Sequence, residues 1–116
     1  DVLFTTINQW FDESIFYENT IKNLYYPSVN YNEFKKYNEK YYKKFKNYPN
    51  EISILTYDAL GLIYYVWKVN GQIQTVNDFS FKSKIEGKIG TFSFKDKKVS
   101  QELNIYKTEK NKFIKF

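Results

Sequence analysis

The chain contains no cysteine, histidine, methionine or arginine among its 116 residues, so every basic side chain is a lysine. Without histidine and cysteine, the usual zinc sites, Ser-His-Asp triads and thiol nucleophiles are excluded. No disulfide can indicate an oxidising compartment. No apolar run reaches the roughly 18 residues expected of a membrane-spanning helix. We therefore predict no metal site and no cofactor.

Two further sequence signals are missing. The spacing of Gly87 and Gly90 does not match a phosphate-binding loop, which needs a longer glycine spacing followed by lysine. No secretory signal is present, although a mature exported chain would have lost it. Because the chain begins with Asp1, we expect its N-terminus to have been processed or cut from a longer protein.

Aromatic residues and lysines dominate what is present. Aromatics make up 22% of the chain, the formal net charge is +5 and the isoelectric point is about 9.2. This combination is one signature of nucleic-acid binding. However, arginine, the usual bidentate contact to guanine and phosphate, is absent, and the aromatics fall at core spacing. We therefore predict solvated lysine surfaces and no nucleic-acid partner.

Residues 49–70 form the most informative segment, because they predict a helix that is apolar nearly all round. Asn50 is placed to cap its start and Gly71 to end it in a left-handed conformation. A leading apolar stripe has helical spacing and consists of Leu55, Ala59, Leu62 and Val66. Such a helix is expected to be buried on several sides. A chain this short supplies few neighbours, so we expect it to be part of something larger.

Residues 31–46 predict a second, amphipathic helix. Its apolar stripe is Phe34, Tyr37, Tyr41 and Phe45, and lysines occupy the opposite face. Because the stripe is what a core requires, packing is favoured over binding to a membrane surface. Short strands are predicted at residues 2–6, 24–26, 91–94, 103–106 and 113–116, with Pro27 ending the second of them. The predicted class is α/β, with two main helices and short strands.

Three groups of residues leave alternatives open. Asp58, inside the apolar helix, is either held by a hydrogen bond or ion pair or, as the minor alternative, catalytic. The neighbours Asp12 and Glu13 are better explained as a helical start than as an acid–base pair. Trp10 follows a strand and either closes over a ligand or covers the core.

Three landmarks resemble, in order and spacing, the C-terminal third of type I periplasmic binding proteins, the branched-chain amino-acid-binding and receptor-like family. The first landmark is residues 5–12, around Asn8-Gln9-Trp10. The second combines Tyr25-Tyr26-Pro27, Tyr48-Pro49 and Tyr57-Asp58-Ala59. The third is Gly87-x-x-Gly90-Thr-Phe-x-Phe94, which is followed by a charged turn. Together they cover nearly the whole chain.

The resemblance implies a partial α/β module of a two-lobed fold. Residues 1–24 would belong to the C-terminal lobe, residues 25–96 to the N-terminal lobe, and residues 97–116 would return to the C-terminal lobe. The implied function is non-enzymatic: periplasmic binding of an amino-acid-like small molecule for uptake by an ABC permease, jointly with a missing N-terminal part. The predicted ligand-binding residues are Trp10, Phe11, Tyr25, Tyr26, Ser53 and Ile54, for each of which a structural role is an alternative.

A second branch of the same fold is also similar in residues 87–105. Outer-membrane lipoprotein activators of penicillin-binding proteins have such a Gly-x-x-Gly segment and following strands. In that branch the role would be protein contact in peptidoglycan synthesis, and the chain would belong to an outer-membrane lipoprotein. If the chain folds alone, we expect exposed apolar surface that drives dimerisation.

Overall fold

The computed structural model describes residues 3–7, 10–18 and 23–116. These residues form a mixed α/β protein with two α-helices and two β-sheets, which confirms the predicted class. The chain divides into two compact units. One contains residues up to 31 together with residues 103–116, and the other contains residues 32–102.

The first unit is built on a four-stranded sheet. Its strands are β1 (Phe4–Thr5) and β2 (Leu24–Ser28), followed at the end of the chain by β6 (Asn104–Glu109) and β7 (Lys112–Lys115). The order across the sheet is β1-β2-β6-β7. β1 runs parallel to β2, whereas β6 is antiparallel to both of its neighbours. Strands from the first and last parts of the described chain are therefore hydrogen-bonded in one sheet.

The prediction that Pro27 ends the second strand is wrong, because β2 continues through Pro27 to Ser28. The Thr6 N–H donates to the Tyr25 carbonyl at 3.1 Å, so Tyr25 presents its backbone groups towards β1. Pro27 lies two residues further and points the same way. The β1 ladder reaches only to Tyr25, so the missing N–H of Pro27 leaves no ladder hydrogen bond broken.

An aromatic cluster forms the core of the first unit. Leu24, Tyr26 and Tyr106 are buried on one face of the sheet. Partly buried side chains pack around them, and these are Phe11, Ile15, Tyr31 and Phe113. A short 3₁₀ turn, Glu13–Tyr17, supplies part of this cover. It begins at Asp12, whose carboxylate accepts the Ser14 N–H at 2.9 Å, confirming the helical-start interpretation of this acid.

The second unit begins with the two predicted helices, α1 (Tyr31–Phe45) and α2 (Glu51–Asn70). The side chain of Asn50 accepts the Ile52 N–H at 2.9 Å, and Gly71 ends α2 with a φ of 83°. Both predicted end signals are thus confirmed. The predicted core role of the α1 stripe is only partly met. No residue of α1 is fully buried, and Phe45 is 54% exposed.

α2 is apolar nearly all round, as predicted, but it is buried on one side only, which leaves the exposed apolar surface expected of a chain that folds alone. Its buried residues form a single stripe, Ile54, Asp58, Leu62 and Val66, displaced by one position from the predicted stripe in its first two members. Leu55 is half-buried. The remaining large apolar side chains are exposed, namely Ile52, Tyr57, Leu60, Ile63, Tyr64, Tyr65, Trp67 and Val69. The physical reason is that the described part of this unit covers only one side of the helix.

A three-stranded antiparallel sheet completes the second unit. Its strands are β3 (Ile85–Glu86), β4 (Thr91–Lys95) and β5 (Lys98–Gln101), in that order. The predicted charged turn joins β4 to β5 through two residues of positive φ, Asp96 and Lys97. Leu62 and Val66 of α2 pack on Phe81 and Phe92 to form the core of this unit.

Candidate functional site

Two of the predicted ligand contacts, Phe11 and Tyr26, lie in the aromatic core of the first unit. The Phe11 ring centroid is 4.9 Å from that of Tyr106 and 4.7 Å from that of Tyr31. Tyr26 is only 1% exposed. Both rings therefore contribute packing, and their proposed contact with a ligand stays a prediction.

The other two predicted contacts in this unit, Trp10 and Tyr25, are half-buried. The Tyr25 ring meets Phe116 edge-on at 5.5 Å, and the Lys107 ammonium lies 6.0 Å from its centroid. Tyr25 alternates with the buried residues of β2, so it projects to the opposite face of the sheet from Tyr26. The side chains of Tyr25 and Tyr26 thus lie on opposite faces of the four-stranded sheet.

Ser53 and Ile54 lie in the second unit, at the start of α2. The Ser53 hydroxyl donates to the Asn50 carbonyl at 2.6 Å, and the Tyr37 hydroxyl donates to Ser53 Oγ at 3.4 Å. Ile54 is 1% exposed and belongs to the buried stripe. Ser53 therefore helps to fix the helix start beside α1, and its role towards a ligand remains a prediction.

Two buried hydroxyls of β2 have no hydrogen-bond partner among the described residues, those of Tyr26 and Ser28. Burial is the largest cause that raises the pKa of the Tyr26 phenol well above its ordinary value of 10, and the nearby Tyr106 and Tyr31 phenols add to it. A buried hydroxyl without a partner costs free energy, because it gives up its hydrogen bonds to water. Among the described residues of the first unit, these two are the buried side-chain oxygens that have no hydrogen-bond partner.

Asp58 is buried and anchors the glycine-bracketed loop, residues 87–90. Its Oδ1 accepts the Lys88 N–H at 2.7 Å and its Oδ2 accepts the Ile89 N–H at 3.0 Å. A methyl group at Gly87 would collide with the Phe92 ring and would lie 2.8 Å from Asp58 Oδ2. The hydrogen-bonding interpretation of Asp58 is confirmed, and Gly87 is explained by the close approach of this loop to α2.

An ion-pair network joins the same loop to α1. The Lys88 Nζ is 2.6 Å from Glu33 Oε2, and the Lys36 Nζ is 2.7 Å from Glu33 Oε1. Hydrogen bonds from Lys36 and then Lys88 lower the pKa of Glu33 to about 2. The loop is thus fixed to both helices by its backbone and by its lysine side chain.

An apolar groove of about 800 Å³ runs along α2, and its volume lies within the range typical of ligand pockets. Its walls come from α2, from the segment after Gly71 and from the small sheet, and they carry no charged side chain. The lining residues are Leu55, Ala59, Leu62, Ile63, Ile73, Gln74, Thr75, Val76, Phe79, Phe92 and Val99. Such a groove suits an apolar surface and offers no partner to the charged groups of a free amino acid.

Sequence reasoning missed this groove. The signal that pointed to it was the apolar excess of α2, although the residues opposite, Val76, Phe79 and Val99, come from segments without a distinctive pattern. On the other side of α2, a second cavity of about 510 Å³ lies beside Asp58 and Lys68. The chain thus presents an apolar and a mixed surface on the same helix.

The described ranges contain no group of three or more acidic side chains arranged to hold a metal ion. Within those ranges, no helix has both the length and the hydropathy that crossing a bilayer requires. Comparisons with models of protein families, with curated proteins and with solved structures found no match.

Proposed function

We propose that the chain is a non-catalytic, C-terminal segment of a type I periplasmic solute-binding protein that takes up an amino-acid-like ligand for an ABC permease. The observation that carries the proposal is the path of the chain. It leaves the four-stranded sheet after β2, forms the whole second unit, and returns to the same sheet as β6, antiparallel to β2. Two passages between two compact units are what a hinged, two-lobed protein needs.

The uncovered side of α2 supports the same proposal. Soluble proteins rarely leave a contiguous apolar surface of this kind bare, so another protein surface is expected to cover it. In the proposed protein, the missing N-terminal part would cover this face of α2 and complete its lobe, and the ligand would lie between the two lobes. Closure would then follow from contacts that the ligand makes with both lobes, which shifts the population from open to closed.

The predicted ligand contacts can be tested with the two tryptophans of the chain. The product of the complete reading frame is prepared as Trp67→Phe, which keeps Trp10 as the only tryptophan of this segment, and as the matched variant Trp10→Phe. A panel of amino acids is added, and both tryptophan fluorescence and thermal unfolding are followed. A binding ligand at 100 times its Kd should stabilise the protein by about 2.7 kcal/mol.

We expect the ligand to raise the unfolding temperature of both variants and to change fluorescence only where Trp10 is retained. A ligand that stabilises the protein but changes the fluorescence of Trp67 alone would move the site to α2 and contradict the assigned contacts. A reading frame that encodes only these 116 residues would overturn the two-lobed proposal altogether.

The exposed apolar face of α2 also favours one second candidate, an outer-membrane lipoprotein that activates penicillin-binding proteins. In that case the face and the apolar groove would contact protein. No amino acid would then stabilise the full-length protein, whereas a purified peptidoglycan synthase would bind it, and Trp67→Glu on α2 would weaken that binding.

A further inference from the structure

A compact basic and aromatic surface lies where α1 ends, at residues 40–48, which we call the basic tip. Four exposed lysines occupy it, Lys40, Lys43, Lys44 and Lys46, and no acidic residue occurs from position 40 to position 50. Three aromatic side chains are exposed beside them, Tyr42 at 43%, Phe45 at 54% and Tyr48 at 67%. The predicted core stripe of α1 thus ends in solvent at Phe45.

The basic tip is an ordered feature of the second unit. The Lys46 N–H donates to the Tyr42 carbonyl at 2.9 Å, and Lys46 then turns the chain with a φ of 56°. This turn brings the Tyr48 ring back onto Tyr42, with ring centroids 4.8 Å apart and planes 28° apart. The Lys44 ammonium lies 5.2 Å from the centre of the Phe45 ring. The last turn of α1 and the residues after it therefore hold exposed lysines and exposed rings close together in the chain, with Lys44 in contact with Phe45.

We propose that the basic tip binds the surface of an anionic phospholipid bilayer. Lysines near an anionic membrane are attracted electrostatically, each by an amount that corresponds to roughly a fivefold gain in affinity. Tyrosine and phenylalanine side chains add apolar contact at the level of the headgroups. The lysine stems are long enough to lie along apolar surface while their ammonium groups stay among the phosphates.

The arrangement of the rings argues against a nucleic-acid partner. Single-stranded nucleic acids bind through aromatic faces that are free to stack on bases. At the basic tip, Tyr42 and Tyr48 stack on each other, and Phe45 is contacted by Lys44 and by the Tyr41 ring at 4.5 Å. The ring edges remain available for contact with a bilayer, whereas base stacking requires a free ring face.

The experiment is co-sedimentation of the full chain with lipid vesicles at low and high salt. Vesicles of phosphatidylcholine alone are compared with vesicles in which about a third of the lipid is phosphatidylglycerol, because only the latter supply the negative surface potential. The test variant is Lys43→Gln/Lys44→Gln. The matched control is Lys97→Gln/Lys98→Gln, two exposed lysines at the end of the β4–β5 turn and the start of β5, which lowers the net charge by the same amount.

We expect salt-dependent binding to the anionic vesicles, a loss of about 25-fold in the Lys43/Lys44 variant, from two lysines at roughly fivefold each, and little change in the control. Tyr48→Ser, which alters an exposed side chain beyond the helix, should also weaken binding. Far-ultraviolet circular dichroism verifies that each variant keeps its helices.

Four outcomes would overturn the proposal. They are absence of binding, equal binding to neutral vesicles, equal losses in the two lysine variants, and unchanged binding by Tyr48→Ser. Equal affinity for a single-stranded oligonucleotide, measured in the same buffer and lost in the same variant, would also overturn it in favour of a general polyanion surface. None of these results depends on whether the chain binds an amino acid.

Discussion

Removing the Tyr26 hydroxyl should stabilise the protein, although Tyr26 is among the most deeply buried side chains. The side chain is 1% exposed, and its phenol oxygen has no hydrogen-bond partner among the described residues. A buried hydroxyl without a partner costs about 1–3 kcal/mol of desolvation, which Tyr26→Phe recovers while keeping the ring. We expect a gain near 1 kcal/mol, or roughly 4 °C in Tm for a chain of this size.

The same substitution at Tyr106 provides a control with the opposite sign. Tyr106 belongs to the same core, with its ring centroid 6.1 Å from that of Tyr26. Its hydroxyl accepts the Tyr31 N–H at 2.9 Å, at the start of α1. Tyr106→Phe leaves that N–H without its partner and should cost about 1 kcal/mol. Urea denaturation at neutral pH measures both changes.

The pH dependence gives an independent check. Because burial raises the pKa of Tyr26 above its unfolded value near 10, the unfolded chain loses this proton first as the pH rises. The stability that is linked to this proton is therefore fully present below pH 10 and is lost as the pH rises above it. Tyr26→Phe should remove this part of the fall in the free energy of unfolding at alkaline pH. If Tyr26→Phe instead destabilises the protein, its hydroxyl is hydrogen-bonded and becomes a genuine candidate for ligand contact.

Two further predictions concern the carboxylates of the second unit. Asp58→Ala should cost about 3 kcal/mol or more, since the part-buried Lys88 N–H and the buried Ile89 N–H lose a charged acceptor. Asp78→Ala removes a carboxylate that accepts the Gln74 and Thr75 N–H groups at an exposed 3₁₀ turn, and should cost about 1 kcal/mol. Equal losses in denaturant titrations would contradict the anchoring role of Asp58. The pKa of Glu33 is held at about 2, so its contribution to stability is present above pH 4.5 and lost as the pH falls to about 2. Glu33→Gln should abolish this acid-dependent part, and an NMR titration of the carboxyl with a midpoint near 4.5 would refute the ion-pair network.

Local patterns predicted the elements of this chain well because their causes are local. The start of α2 at Asn50 and its end at Gly71 depend on a side-chain cap and a left-handed residue within a few positions. The prediction that Pro27 ends the second strand was wrong for a non-local reason. The effect of Pro27 on β2 depends on whether β1 extends alongside it, and that is settled by a strand some twenty residues earlier in the chain.

The buried face of α2 could not be predicted from its own sequence. Its apolar residues lie on all sides and do not distinguish the side that packs on the rest of the unit. The register was decided by Asp58, which faces inward because the Lys88 and Ile89 N–H groups, thirty positions away, need an acceptor. That contact turns Ile54, Asp58, Leu62 and Val66 towards the small sheet and leaves Trp67 and Leu60 outside. A polar residue within an apolar helix thus fixed which apolar face remains available to another surface.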